Sequence, residues 1–440
     1  MLAAGLVRRG HRVLVVGPPS VEESFAFTEA GARFVPIRIS DRPHPLDDAR
    51  SVLILRRLTR DADVVHAHGL RVGALAALAL PGRAALLTAP VSTRRTDSAG
   101  GAPDVGEGRD DRAAVQEGSG DPGAPAERGA RVRRGRPALV VTLHNALTAG
   151  GLVGAVYGAL ERVVARRADH VLVVSPDLGE RMRTLGARDV RPAVVPAPIP
   201  RPAKRTPEEV RSELGAGHRS IVLTVARLAQ QKGLETLLDV ARGPWPPAEP
   251  GEPAGGEAAG GGSVRGRGAG GGSVGGRDVG GGSARGQGAG GEAAVPLFVV
   301  AGEGPLRGEL QARIDAERLP VRLLGQRDDV PDLLAAATVV IWPSRWEGQP
   351  LSLSETLMVG RPVVATAVGG VPDLLAGAGK LVPYGDAGAM RAAVRELVED
   401  PAEAARVARA AALRGAELPG EGDAVDSVLF VYRAATAGDD

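Results

Sequence analysis

Runs of apolar residues of strand length alternate along the chain with longer amphipathic stretches. Five runs precede residue 200 and five follow it: HRVLVVGPP, ARFVPI, DVVHAHG, ALVVTLHN and DHVLVVSPD, then SIVLTVAR, PLFVVAGEG, VRLLGQ, TVVIWPS and PVVATAVGG. Continuous Val- and Leu-rich strands separated by helices are typical of parallel sheets that are covered on both faces. The pattern predicts an α/β protein with two doubly wound sheets, whose ligands lie at the carboxyl ends of the strands.

A proline-rich segment, VRPAVVPAPIPRPAKRTP, separates the two sets of strands near residue 200. Such a segment is typical of an interdomain linker. We expect a first domain over residues 1–197 and a second over residues 198–418, facing each other across a cleft. Residues 419–440 are predicted to form a helix that packs back on the first domain.

Two stretches interrupt this alternation. Residues 91–136 are polar and charged, and residues 243–294 are rich in glycine, alanine and proline, with GGGS repeated at 260, 270 and 280. Neither stretch can bury enough apolar surface to order itself. Both are therefore predicted to be disordered insertions in otherwise folded domains.

Composition narrows the classes of function. The chain has 440 residues, of which 43% are hydrophobic, enough for two cores, but only 2% are aromatic, so stacking platforms for single-stranded nucleic acid are scarce. A formal net charge of +2 gives no strong field toward nucleic acid, and the lack of cysteine excludes thiolate chemistry. We expect no nucleic-acid partner, no transmembrane segment and a cytoplasmic protein, with peripheral contact to a membrane left open.

The stretch WEGQPLSLSE holds two carboxylates, Glu347 and Glu355, on either side of Pro350. Proline suits the first position of a helix and glycine its end, so a helix is predicted from Pro350 to Val359, before Gly360. Glu347 then lies just ahead of the helix and Glu355 one to two turns inside it. The helix N-terminus forms an anion site from the free backbone N–H groups of Gln349, Leu351 and Ser352.

Cations and glycines follow other strands of the second half. Strand IVLTVAR ends in Arg227 and leads on to Lys232, and VVAGEGP places Gly302 and Gly304 where the backbone can approach a ligand closely. Cations and amides suit a diphosphate, and carboxylates suit sugar hydroxyls. The acidic motif DAD at 61–63 precedes its strand, on the edge away from the expected cleft, so we expect no metal site and no cofactor.

The second half resembles the donor-binding domain of retaining glycosyltransferases of the GT-B fold, glycosyltransferase family 4, also called glycosyl transferases group 1. The hallmark of that family is a glutamate, seven residues and a second glutamate, as in EGQPLSLSE. The segments VARLAQQKGLETLL, VAGEGPL and RDDVPDLL occur here in the family order, and YGALERVVARRADHVLVVSPDL is similar to the end of its first domain. Outside the insertions the resemblance covers most of the chain and implies two Rossmann-like domains.

The resemblance also implies roles for individual residues. Glu355 would bind ribose hydroxyls, Glu347 the transferred sugar, and Arg227 with Lys232 the leaving diphosphate. His144, which ends strand ALVVTLHN, is similar to the family's histidine near the sugar and phosphate of the donor, whereas His66 and His68 are interpreted as packing or loop residues, with His68 as an alternative site residue. The further donor contacts implied are Gly302, Gly304, Gln326, Arg327, Gly348, Gln349, Pro350, Leu351 and Ser352.

The implied activity is transfer of a sugar from a nucleotide diphosphate sugar to an acceptor hydroxyl with retention of the anomeric configuration. The acceptor, whether glycan, lipid-linked or small, is not readable from the residues. The family begins with a strand and a Gly-rich loop before a segment like RRGHRVLVVGP, and this chain starts at Met1 inside the helix between them, so the first domain is expected to lack its first strand. The alternatives are a nucleotide-sugar-binding protein that is inactive through this truncation, and a sugar-nucleotide epimerase of the same fold.

Deletion of residues 250–290 tests the interpretation of the glycine-rich stretch. Because the entropy of loop closure depends only weakly on loop length, the deletion should change the free energy of unfolding by little more than about 1 kcal/mol. Denaturant unfolding of the full chain and the deletion variant measures this difference. Failure of the shortened chain to fold would show that the repeat is packed.

Overall fold

The computed structural model describes residues 1–37, 45–81, 136–146, 151–199, 201–245 and 295–437. Residue 136 and residues 243–245 are the described parts of the two predicted insertions, and the remainder of both lies outside the described residues. Within these ranges, no helix is both long enough and apolar enough to cross a membrane.

The first half alternates helices with short strands. Its first element is a helix, and its last strand is formed by the first three residues of the proline-rich segment. The elements are α1 Leu2–Arg8, β1 Leu14–Gly17, α2 Pro19–Phe25, β2 Arg33–Pro36, α3 Pro45–Leu58, β3 Val64–His68, α4 Leu70–Ala79, β4 Ala138–Leu143, α5 Gly151–Arg167, β5 His170–Val173, α6 Pro176–Thr184 and β6 Val190–Pro192.

The second half repeats the alternation and ends in three consecutive helices. The elements are α7 Pro207–Glu213, β7 Ile221–Val225, α8 Leu234–Arg242, β8 Leu297–Ala301, α9 Arg307–Glu317, β9 Val321–Gly325, α10 Val330–Ala336, β10 Val339–Trp342, α11 Leu351–Val359, β11 Val363–Thr366, α12 Val371–Leu375, β12 Lys380–Val382, α13 Ala387–Glu399, α14 Pro401–Ala416 and α15 Glu421–Thr436.

Among the described residues, the strands are all parallel to their neighbours and form three sheets. The second half has one six-stranded sheet in the order β12-β11-β10-β7-β8-β9, and the first half has a four-stranded sheet, β3-β4-β5-β6, and a separate pair, β1-β2. The strands of the first half are thus divided between two sheets. The backbone edges of β1 and β3 make no ladder with each other among the described residues.

The six-stranded sheet is covered on both faces, as continuous apolar strands require. Alternate residues of neighbouring strands point to opposite cores: Leu223 and Val299 belong to one buried cluster, and Val222 and Phe298 to the other. In the first half the inner strand β4 is buried along its whole length. Such strands end at a common edge of each sheet, and that edge carries the candidate site.

Helix α15 belongs to the first half in space although it ends the described chain. Val428 and Val431 lie in the buried cluster formed by β3, β4 and β5, and Val425 and Leu429 pack on Leu6 of α1. The chain therefore crosses between its two halves twice, once through the linker near residue 200 and once before α15. The linker is held by Asp332, whose carboxylate accepts hydrogen bonds from the backbone N–H groups of Lys204 and Arg205.

Candidate active site

Helix α11 begins at the edge where strand β10 ends. Pro350 takes the N-cap position with an extended backbone, and Gly360 closes the helix in the left-handed conformation at φ 69°. This confirms the helix that the sequence predicts over Pro350–Val359, apart from the assignment of Pro350 to the cap. No side chain caps the N-terminus, so the first-turn amides stay open to a ligand.

Glu347 is buried just ahead of this helix, with 4% of its surface exposed. Its Oε1 accepts hydrogen bonds from Lys232 Nζ at 2.6 Å and from Ser344 Oγ at 2.7 Å. A buried carboxylate needs such partners because it has lost its water. The structure thus brings together two residues, Lys232 and Glu347, that the sequence proposes for one site.

Glycines allow the loops around Glu347 to approach this closely. At Gly369, φ is +54° and a Cβ atom would lie 1.9 Å from the carbonyl oxygen of Glu347. At Gly233, directly after Lys232, φ is +59° and a Cβ atom would lie 2.0 Å from the carbonyl oxygen of Pro343. Any other residue at either position would push the Glu347 loop away from Lys232.

Arg227 lies in the loop after β7 and is exposed, and among the described residues its guanidinium makes no ion pair. A backbone hydrogen bond joins the loop of Arg227 to the neighbouring loop after β8: the N–H of Leu228 donates to the carbonyl oxygen of Glu303 at 3.0 Å. Cβ atoms at Gly302 and Gly304 would lie 1.9 Å from Ala226 O and 2.4 Å from Leu228 O. These two glycines therefore have a packing role in joining the loops, whatever they contribute to a ligand.

Glu355 lies one turn inside α11 and is half-buried. It makes no hydrogen bond and no ion pair with another described residue. Burial raises the pKa of its carboxyl group, while the charge of Arg201 lowers it to a smaller extent. Two glutamates of one short segment thus differ: Glu347 is already bonded, and Glu355 has unused acceptor capacity.

The loop that carries Glu347 also contacts the first half of the chain. The indole of Trp346 packs in the first-half core, and its Nε1–H donates to Asp177 Oδ2 on α6 at 2.7 Å. The carbonyl oxygen of Trp346 accepts from Gln231 Nε2 of the second half at 2.9 Å. Trp346 therefore links Glu347 to both halves. The sequence analysis did not identify Trp346 or Asp177. Asp177 comes shortly after the end of strand β5, and a polar residue after a strand is the signal that identified the other candidates.

Gly348 meets the first half at the same junction. A Cβ atom there would lie 2.6 Å from Val174 Cγ2 and 3.3 Å from the carbonyl oxygen of His144. The sequence-predicted residues His144 and Gly348 are therefore neighbours across the two halves. Gln349 and Pro350 follow in the same loop, and Leu351 and Ser352 open helix α11.

His144 pairs with His68 across strands β3 and β4. The distance from His68 Nδ1 to His144 Nε2 is 3.3 Å, and the two rings are nearly parallel, at 13°, with centroids 5.6 Å apart, so they meet edge to edge. His66, two residues before His68, stacks on it at 4.4 Å. Burial lowers the pKa of all three imidazoles, to about 4 for His68, so each stays uncharged at neutral pH.

Gln326 and Arg327 follow strand β9. Gln326 is exposed, whereas Arg327 is engaged by two carboxylates, with Nε 2.7 Å from Asp329 Oδ1 and Nη1 2.8 Å from Glu213 Oε1. These bonds raise the pKa of Arg327 further. Donor contact by Arg327 stays a prediction, and its guanidinium already has partners in the structure. Within the described ranges, no group of three or more His, Asp or Glu side chains is arranged to hold a metal ion.

Two family models match the chain. The model of glycosyl transferases group 1 matches residues 292–400, and the glycosyl transferase 4-like domain matches residues 1–118 and 109–198. Among curated relatives, D-inositol 3-phosphate glycosyltransferase 1 of Catenulispora acidiphila is 38% identical over 153 residues, which is 32% of this chain and 36% of that protein. Alpha-D-kanosaminyltransferase of Streptomyces kanamyceticus is 31% identical over 142 residues, 31% of this chain and 37% of that protein. The matches thus span little more than a third of either relative.

Solved structures show the same fold over nearly the whole chain. HepE of Anabaena in complex with UDP and glucose superposes with a TM-score of 0.63 at 15% identity, covering 98% of this chain and 95% of that one. Sucrose-phosphate synthase from Thermosynechococcus elongatus gives a TM-score of 0.61 at 16% identity, covering 100% and 92%. The two-domain α/β architecture predicted from the sequence is confirmed as that of the GT-B glycosyltransferases.

The three histidines predict how stability depends on pH. The unfolded chain binds protons on these imidazoles near pH 6.5, whereas the folded chain does so only at lower pH, so stability is lost as the pH falls from about 6.5 toward 4. Thermal unfolding between pH 7.5 and about 5 should show a falling Tm. His68→Gln should flatten this dependence, and the matched variant His218→Gln, at an exposed turn, should not. Equal slopes in both variants would contradict the assignment.

Proposed function

The chain belongs to the glycosyl transferases of group 1, family 4 of the GT-B fold, and we propose that it transfers a sugar from a nucleotide diphosphate sugar to an acceptor hydroxyl with retention of the anomeric configuration. The observation that carries the proposal is the contrast between Glu347, buried against Lys232, and Glu355, half-buried without a donor. One carboxylate is held in place beside a cation, and the other can accept hydrogen bonds from hydroxyl groups.

The leaving diphosphate is assigned to Arg227, Lys232 and the N-terminus of α11. Arg227 is an exposed cation without an ion pair among the described residues, and the amides of Leu351 and Ser352 belong to an uncapped helix start. As the bond from the anomeric carbon to the diphosphate oxygen breaks, negative charge develops on that oxygen. Fixed cations and amides stabilise this charge more in a site that excludes water than they would in bulk solvent.

Glu355 is assigned to the ribose hydroxyls and Glu347 to the transferred sugar. Ribose hydroxyls would supply the donors that Glu355 lacks, and the hydrogen bonds would offset the desolvation that raises its pKa. Glu347 has one oxygen, Oε2, with no bond to another described residue, and this oxygen can accept from a sugar hydroxyl while Oε1 stays on Lys232. We assign no covalent role to Glu347, because it is already bonded to Lys232 and Ser344.

The remaining proposed contacts surround these groups. His144 approaches from the first half, beside Gly348, and is assigned to the sugar and phosphate of the donor. Gln349 and Pro350 border the anion site, and Gly302 and Gly304 border the loop of Arg227. Gln326 is proposed as a contact of the nucleoside, together with Arg327 if the latter exchanges one of its carboxylate partners for the ligand.

Lys232→Ala tests the leaving-group cation. The variant should lower kcat by at least about 10²-fold, because the lost charge acts mainly on the oxygen that becomes negative in the transition state. Lys380→Ala is the matched control. Lys380 is also a partly buried lysine paired with carboxylates, Glu396 and Glu403, but it lies at the start of strand β12, away from the candidate site. The measurement is initial-rate transfer by variants whose folding has been verified by circular dichroism. A near-normal kcat for Lys232→Ala would remove this residue from the site.

Glu355→Gln and Glu347→Gln separate the two proposed glutamate roles. Glu355→Gln keeps the shape but weakens charge-assisted bonds to the ribose, so affinity for the sugar-free nucleotide diphosphate should fall by about 1.5–3 kcal/mol. Glu347→Gln should leave that affinity nearly unchanged while turnover falls. Calorimetric titration with UDP, GDP and ADP, run beside a transfer assay, measures both quantities.

Each outcome of this experiment decides a different point. Equal loss of nucleotide affinity in the two variants would contradict the division of roles. No loss in either variant would show that both glutamates are ordinary charged residues near a helix end. Binding of a nucleotide without any transfer would favour the non-catalytic alternative. The anomeric proton coupling of the product tests retention directly.

A further inference from the structure

A row of side chains leads from helix α15 to His144 along one face of strands β3 and β4. His66 and His68 are two residues apart on β3, so their side chains share a face of the sheet. Thr142 on β4 and His144, just after β4, are also two residues apart and share a face. The strand register pairs His68 with Thr142, so His144 lies diagonally across from His68. None of these side chains except His144 has a role in the proposed function.

The inner end of the row is fixed on both sides. His66 Nδ1 lies 2.8 Å from the hydroxyl of Tyr432 on α15, and its Nε2 lies 2.6 Å from Thr142 Oγ1. Burial lowers the pKa of His66 and raises that of Tyr432, so both remain uncharged around neutral pH. The ring of His66 is therefore held by two hydroxyl groups, and His68 stacks on this fixed ring at 4.4 Å with an interplanar angle of 26°.

At the outer end of the row, the contact between His68 and His144 restricts which ring nitrogens carry a proton. The 3.3 Å between His68 Nδ1 and His144 Nε2 admits a hydrogen bond only if one of the two nitrogens carries a proton and the other does not. Because both rings are uncharged, two arrangements exist. Either His144 donates from Nε2 and leaves its Nδ1 bare, or His68 donates from Nδ1 and His144 carries its own proton on Nδ1.

The free nitrogen of His144 distinguishes the two arrangements. His144 is exposed, and its Nδ1 has no hydrogen-bond partner among the described residues. A bare nitrogen there would repel the oxygens of a phosphate, whereas an N–H would donate to them. This choice rests on the proposed function, since it is the phosphate or sugar of the donor that requires an N–H.

We propose that His68 is a positioning residue that donates from Nδ1 to Nε2 of His144, and so keeps the proton of His144 on Nδ1 for the donor substrate. His66, held by Tyr432 and Thr142, sets the plane of His68. The last helix of the described chain thereby reaches the candidate active site through three imidazoles, of which His66 and His68 stack and His68 and His144 meet edge to edge. Among the described residues, the ring contacts of His68 are with His66 and His144, and Thr142 bonds His66.

Two substitutions of nearly equal size test this assignment. In His68→Asn the Nδ2 amide can take the place of Nδ1 and still donate, whereas the ionised carboxylate of His68→Asp can only accept. With ¹⁵N-histidine labelling, long-range proton–nitrogen spectra at pH 8.5 report the tautomer of His144, assigned by the signal lost in His144→Gln. We expect Nδ1–H in the native chain and in His68→Asn, and Nε2–H in His68→Asp. An Nε2–H tautomer in the native chain, or the same tautomer in both variants, would overturn the proposal.

Transfer kinetics give a second readout. Partners that orient metal-ligating imidazoles typically change affinity or activity by about 10- to 100-fold when they are lost, and we expect a loss of the same order for a partner of His144. His68→Asp should therefore lower kcat by about 10-fold or more, with His68→Asn close to the native value. Equal turnover by the two variants would contradict the role of the proton. If no form of the protein transfers sugar, the proposed function fails, but the spectra still decide the tautomer.

Discussion

The burial of the Glu347 carboxylate is the constraint on which the rest of the site depends. A carboxylate with 4% of its surface exposed is stable only with hydrogen-bond donors beside it, and Lys232 and Ser344 provide them. Lys232 comes from the loop after β7 and Ser344 from the loop after β10, so the pair joins two neighbouring strand ends. The glycines at 233 and 369 let the flanking backbone close around it. Breaking such a buried pair by removing one partner typically costs about 3–5 kcal/mol.

The same loop sets how the two halves meet. Trp346 inserts its indole into the first-half core and bonds Asp177, while Gly348 leaves no room for a side chain against Val174. These contacts fix the position of His144 relative to the start of α11. Because residues 346–348 serve both the junction and the carboxylate, a change at the junction is also a change at the site. Residues 346–348 thus hold the proposed site residues of the two sheets next to each other.

The sequence predicted what local patterns determine. The ten apolar runs are strands, and Pro350 and Gly360 bound helix α11, since proline and glycine restrict the backbone wherever they occur. Strands β6 and β12 were not predicted, because each has only three residues and is recognised only by its hydrogen bonds to the adjacent strand. The separation of β1-β2 from β3-β6, the insertion of Trp346 and the pairing of Arg327 with Glu213 depend on residues far apart in the chain. Periodicity contains no information on such contacts.

Helix α15 has a consequence for how the protein is made. A chain leaves the ribosome from its first residue onward, and domains usually fold in that order. Here Val428 and Val431 complete the core of the first half, and Tyr432 bonds His66. Part of the apolar surface of strands β3 to β6 therefore stays uncovered until α15 has been synthesised, more than two hundred residues later. The nascent first half thus exposes apolar surface until α15 has been made, and the two halves complete their folding together and not in turn.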